Sequence, residues 1–285
     1  MSSLREIKDH IGSVKSTLKI TSAMKLVASS KLRKAQNAIE SMRPYEEALG
    51  YALSAAKSTA HPVDVKRTEP EEDEKVSVGK TAVVTISSNS SLCGGFNSNV
   101  IKKTLTEICK AGDTVIFALG RKVADAVKKA GVPSEGDFSD MVAHPSYGAV
   151  SALADELSRR FISGEFSSVI LVYTHFISTS RQEVVAERYL PFEALETEMT
   201  YPEDYIVEPS PEEAVEYLTP LVLGLKLYAA VLDSAASEHS ARTIAMQTAT
   251  DNGNDLLSEL TLEYNKGRQQ KITAEILDLI GGKCD

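Results

Sequence analysis

The sequence predicts an α/β unit inserted between two long helices that pair antiparallel. Three observations predict it: an unbroken heptad seam at the N-terminal end, a second one at the C-terminal end, and alternating strand and helix patterns between them. The seams can bury their apolar faces only against each other. The middle segment brings the chain back to the same end, so the two helices run in opposite directions.

The first seam reads Leu4, Ile7, Ile11, Val14, Leu18, Thr21, Lys25, Ala28, Leu32, Ala35, Ile39, Met42, Glu46, Leu49, Leu53 and Ala56, apolar at thirteen of sixteen positions. Steps of three and four alternate throughout, which is helical rather than extended. A helix of about 55 residues spans roughly 80 Å, too long to stand without a partner. Pro44 interrupts the run and is expected to bend it. Ile20, Ala23, Met24 and Val27 form an additional apolar row. That row admits two readings: a wide core stripe, or a face covered by partner subunits.

Lys57 to Gly79, with Pro62, Pro70 and the acidic run from Glu69 to Glu74, reads as a solvated linker. The expected division is therefore a helix over 1–57, a linker over 58–79, an α/β domain over 80–209 and a second helix over 210–285.

Within the α/β part, Thr81–Ser87, Thr114–Leu119 and Ser168–Thr174 are short, β-branched and almost wholly apolar. Such runs fit strands buried on both faces of a mainly parallel sheet. Helices are expected over Phe96–Ala111, Arg121–Ala130 and Tyr147–Ile162. Gln182–Leu190 alternates and should pair antiparallel with the strand before it, and a weaker strand signal covers Val132–Phe138. Leu190 to Glu208 reads as irregular. Ser210-Pro211-Glu212-Glu213 is a capping box with proline at the first helical position.

The second seam reads Leu218, Val222, Leu225, Ala229, Leu232, Ala236, His239, Thr243, Met246, Thr250, Gly253, Leu257, Leu260 and Tyr264. Its middle is small or polar. Pro220 suggests that the helix restarts there with Thr219 as cap, and Gly281-Gly282 should stop it. This helix, about 70 residues and roughly 105 Å long, exceeds the first, so its tip should overhang.

The 285 residues carry a formal charge of −9, yet residues 1–43 alone are net +6. A basic segment on an acidic chain calls for an acidic partner; nucleic acid is the weaker alternative, because the remaining surface repels phosphate. No uninterrupted run of 18 apolar residues is present, so no membrane insertion is expected, and the polar N-terminus resembles neither a signal nor a transit peptide. Cys93, Cys109 and Cys284 are too few and too scattered for a disulfide framework.

Catalytic groupings are sparse. Gly79-Lys80-Thr81 resembles the end of a phosphate-binding loop, but Glu74 stands where that loop needs glycine. Leu92-Cys93-Gly94-Gly95-Phe96-Asn97 reads either as a nucleophile elbow or as a tight turn that packs helix on sheet; no histidine is marked as its base, which favours the turn. His10, His61, His144, His175 and His239 lack metal-ligand spacing. No catalytic residue, metal or cofactor is assigned. Asp251, Asn252 and Gly253 weaken the second helix, and Tyr264 to Lys271 is a dense donor patch suited to a partner's backbone and carboxylates.

Separated segments resemble the F-type ATP synthase gamma subunit family: Lys19 to Ala28, Ser91 to Asn97, Ser237 to Arg242, Ala249 to Gly253, and Tyr264-Asn265-Lys266-Gly267-Arg268-Gln269. The resemblance implies a coiled coil with an inserted Rossmann-like domain, acting as a rotating shaft without catalytic residues. It implies as partners a hexamer of alpha and beta subunits, an epsilon subunit and the membrane c-subunit ring. It further implies a peripheral place on the cytoplasmic face of a bacterial inner membrane, with the mitochondrial matrix face as alternative. Carried over by position, Met24 and its neighbours would lie close to Arg242 and to a beta subunit's lever region, and Arg268, Gln269, Thr273 and Glu275 would form a polar catch in the upper sleeve. Gly267 departs from the helix formers common there and is expected to loosen the catch. The rivals are an α/β enzyme with helical arms and a stand-alone coiled-coil adaptor.

Overall fold

A computed structural model describes residues 3–59, 79–192 and 206–281. Most of the expected linker lies outside them. The elements are α1 (Leu4–Thr59), β1 (Lys80–Ile86), α2 (Phe96–Ala111), β2 (Thr114–Leu119), α3 (Arg121–Lys129), β3 (Ser134–Glu135), α4 (Ser139–Ala143), α5 (Tyr147–Ile162), β4 (Phe166–Phe176), β5 (Gln182–Leu190) and α6 (Pro211–Gly281). They fall into two compact units, Met1–Ser30 with Arg242–Asp285, and Lys31–Ala241. Both long helices contribute to each unit.

In the larger unit the strand order is β3-β2-β1-β4-β5. β1 pairs parallel with β2 and β4, β2 parallel with β3, and β4 antiparallel with β5. The apolar strands are covered on both faces, as their composition requires. Ala82, Val84, Ile86, Val115, Phe117 and Leu119 join Val150, Leu153 and Leu157 of α5 and Leu223, Leu227 and Val231 of α6 in one core. Ile116 and Ala118 point the other way, onto Val123 and Val127 of α3. The observed β4 is longer than the apolar run suggests, β3 is a two-residue remnant of the weak signal, and α4 is a short helix the periodicity does not announce.

One proline expectation is corrected, the restart at Pro220. α1 continues through Pro44 without interruption. Likewise α6 runs unbroken through Pro220, and Thr219 is no cap: its hydroxyl donates to the Val215 carbonyl 2.6 Å away, inside the helix. Both prolines are exposed, so each ring has room on the outer side of its helix. The N-cap bond expected at α6 does form, the Glu213 amide donating to Ser210 Oγ at 3.2 Å. A reciprocal capping box opens α1, where the Ser3 amide donates to Glu6 and the Glu6 amide to Ser3 Oγ.

Although no uninterrupted apolar run of that length exists, α6 is long and apolar enough to cross a membrane by length and composition. The apolarity has another user here. Leu223, Leu225, Leu227, Ala230, Val231 and Leu232 are buried within the protein.

At the end of α5, Arg160 donates to Glu135 at 3.1 Å and to Glu165 at 2.9 Å, and its guanidinium lies 4.4 Å from the Phe166 ring centre. These hydrogen bonds hold both carboxyls below their ordinary range. Carboxylates depressed in the folded state stabilise it above their unfolded pKa, and that stability is lost as pH falls through the depressed values. Asp233 and Glu46 act in the opposite sense, since burial raises them. Comparison with Arg160→Gln isolates the cluster: the gap in melting temperature between wild type and variant should narrow as pH drops from about 5 to about 3. A gap independent of pH would contradict this.

Candidate functional site: the paired helices and the helix–sheet joint

In the smaller unit the two helices are antiparallel, in a register that four points define. Leu4 packs at Gly267 and Leu18 at Gly253; a Cβ on either glycine would lie 2.9 Å and 2.7 Å from the respective leucine methyl. Thr21 and Thr250 hydroxyls are 2.9 Å apart. Lys25 donates to Gln247. Between these points Ile7, Ile11, Val14 and Leu18 share one cluster with Leu257, Leu260 and Tyr264.

This register accounts for the irregular residues of both seams. The polar seam positions Thr21 and Lys25 meet polar positions on α6, and such half-buried polar pairs favour one alignment of the two helices. Gly253 and Gly267 stand two heptads apart, as Leu4 and Leu18 do. Each glycine is the hole for a leucine knob. Gly267 admits Leu4, at the cost of helix propensity.

Beyond Gly267 every described side chain of α6 is exposed. Arg268, Gln269, Thr273 and Glu275 all lie on this free end. Thr273 donates to the Gln269 carbonyl at 2.9 Å, and Glu275 is 3.9 Å from Lys271, a pair too exposed to matter for stability. Ile272, Ile276, Leu277 and Leu279 are exposed beside them, so the tip is both polar and apolar.

Met24 is half-buried and Arg242 is buried. They are not opposite each other in the register. Lys25 bonds Gln247, which places Met24 about one and a half turns along from Arg242. The apolar row around Met24 is no core stripe: Ile20 is 60% and Val27 58% exposed, with Leu26 at 72% alongside.

The turn after β1 encloses its cysteine. Cys93 is buried, Asn97 Nδ2 donates to its sulfur at 3.1 Å, and Leu92 and Gly94 take positive φ of 68° and 57°. Asn97 Oδ1 accepts from the Ser88 amide and hydroxyl. Asn89 ties two further loops, accepting from the Arg121 amide and donating to the Ser139 carbonyl.

At the carboxyl end of β4, α6 takes over where β1 stops. The β1–β4 ladder ends at Thr85 opposite Val172. Past it, the Thr174 amide donates to Ser234 Oγ and Ser237 donates to the Thr174 carbonyl, each at 3.2 Å. Ser240 donates to the Thr179 carbonyl at 2.8 Å, and Asp233 bonds His175 at 2.5 Å. The polar residues beside the middle of the second seam thus have a structural reason that periodicity could not reveal. Ser234, Ser237 and Ser240, beside the seam, face a strand end, while Ala236 on the seam packs against Leu32 and Ala35 of α1.

A family model described as ATP synthase matches residues 3–283. The ATP synthase gamma chain of Phocaeicola vulgatus is 48% identical over 295 aligned residues, covering 99% of each chain. That of Bacteroides thetaiotaomicron is 46% identical, again over 99% of each. Among solved structures, the Tetrahymena thermophila mitochondrial ATP synthase central stalk and c-ring aligns with a TM-score of 0.59 and 22% identity, over 81% of this chain and 99% of that one. The Euglena gracilis mitochondrial ATP synthase rotor aligns at 0.59 and 18% identity, over 94% and 98%. At such identities the structural likeness speaks for the fold, while the sequence relatives speak for the family. By full-length similarity to these relatives, the chain belongs to the ATP synthase gamma chain family.

Proposed function

We propose that this chain works mechanically, as the central shaft that links rotation of a membrane ring to ATP synthesis and hydrolysis in a surrounding hexamer. The observation that carries this reading is the fixed antiparallel register of Leu4 with Gly267, Leu18 with Gly253 and Thr21 with Thr250. It joins segments from opposite ends of the chain into one stiff pair. The chemistry stays with the hexamer, whose sites open and close as an asymmetric shaft biases them in turn.

The partners are alpha and beta subunits around the helix pair, and an epsilon subunit and c-subunit ring at the α/β end. The complex sits peripherally on the cytoplasmic face of a bacterial inner membrane. Met24, with the exposed Ile20 and Val27, is the contact row for a beta subunit, and the buried Arg242, further along the pair, is a second coupling residue. The free end bearing Arg268, Gln269, Thr273 and Glu275 is the polar catch. Its exposed donors and apolar neighbours suit a collar that offers carboxylates and an apolar bearing surface together.

Co-purification tests the reading. The chain should be recovered with a large ATPase hexamer, and one always recovered alone would refute the shaft. Tight nucleotide binding by the isolated chain would favour an enzyme instead. A finer test is Met24→Lys, which places a charge at the shaft–sleeve contact. ATP hydrolysis should persist while protons pumped per ATP fall several-fold; a wild-type ratio would remove Met24 from the contact row.

A further inference from the structure

We propose that Ser234, Ser237 and Ser240, with Asp233, form a torque key that locks α6 in rotational register against the end of β4 and the turn after it. The proposal rests on the shaft reading and deepens it, by naming the bonds through which the sheet drives the helix.

Elsewhere in α6, hydroxyls bond within their own helix. Thr219, Thr248, Thr250, Ser258, Thr261 and Thr273 each donate to the carbonyl four residues back in their own helix. That is the default for a hydroxyl inside a helix. Ser237 and Ser240 instead donate across to β4 and its turn, and Ser234 accepts from β4. All three are almost wholly buried, at 3%, 0% and 0% exposure. They stand three apart, so they share one side of the helix. Ala230, Ala235 and Ala236 are buried beside them, and such small side chains let a helix backbone approach closely.

Directionality makes this a key rather than extra adhesion. Apolar contact resists separation but is non-directional, so a helix packed only by leucines can turn or slide against its support. A slip of one residue turns a helix by about 100° and advances it about 1.5 Å. Hydrogen bonds weaken steeply at such displacements. Thr174 is held at both its amide and its carbonyl, His175 by Asp233, and Thr179 by Ser240. Rotation of α6 in either sense breaks several of these together.

The test uses the whole ATP synthase carrying Ser237→Ala with Ser240→Ala, and Ser258→Ala as control, since Ser258 bonds only within its own helix. The double variant should hydrolyse ATP at close to the wild-type rate. Its rotor should be torsionally softer in single-molecule fluctuation measurements, and fewer protons should be pumped per ATP. The control should match wild type. A second measurement serves if the double variant assembles poorly: in Ser234→Ala, exchange of the Thr174 amide should accelerate by roughly tenfold. Unchanged stiffness and pumping ratio in the double variant would overturn the key, as would hydrolysis and pumping falling in equal proportion. An unchanged Thr174 amide would overturn the bonding itself. Failure of the wild-type chain to assemble with a hexamer would instead refute the shaft reading, and is visible before any variant is made.

Discussion

Gly120→Ala should cost the larger unit about 3–5 kcal/mol, a large part of the stability of an ordinary domain. Gly120 ends β2 and opens α3 with φ 110° and ψ 142°, a conformation close to glycine-only territory. A Cβ there would lie 2.3 Å from the Ser87 carbonyl oxygen and 2.8 Å from Ser87 Oγ. Neither atom can retreat cheaply. The Ser87 amide donates to the Leu119 carbonyl at 2.7 Å, and Ser87 Oγ accepts from the Val123 amide at 3.0 Å. The neighbouring Ser88 carbonyl accepts from Lys122, and Asn89 from Arg121. Relief of the clash would therefore break the contacts that start α3. Urea unfolding monitored at the sheet measures the loss; a variant within about 1 kcal/mol of wild type would show that the loop yields.

Leu260→Lys should open the helix pair of the smaller unit, at a cost of about 3 kcal/mol or more. Leu260 is 8% exposed and clusters with Ile7 and Val14. The substitution removes a leucine from the seam and places an ammonium among aliphatic side chains, with only partial relief if the lysine reaches toward water. Spin labels at positions 18 and 257 should report a short, narrow distance in the wild-type complex and a broadened one in the variant. Coupling should fail with it, since ATP hydrolysis would no longer turn a stiff shaft. An unchanged distance distribution would mean that the glycine holes and the Thr21–Thr250 pair hold the helices by themselves.

These two positions differ in how readable they were. Leu260 announces its role through periodicity, as do the strands at Thr114–Leu119 and Gln182–Leu190, whose observed limits match the apolar and alternating runs. Gly120 does not, because a positive φ depends on what the next loop does. The same holds at Gly253 and Gly267. Sequence marks them as weak points in a helix, and only the opposing Leu18 and Leu4 explain them. Pro220 invites a break that does not occur. Propensity is a local preference of up to a few kcal/mol, and a long helix packed along its length can override it.

Heptad spacing and strand–helix alternation thus determined by themselves that two helices must pair across an inserted sheet, because apolar area at either end of the chain had no other place to go. Which residue faces which, and that Ser234, Ser237 and Ser240 face the end of β4, only the tertiary structure decided. Hydrophobic burial depends on area and can be read from periodicity, whereas hydrogen bonds and glycine holes depend on the partner atom, which is remote in sequence.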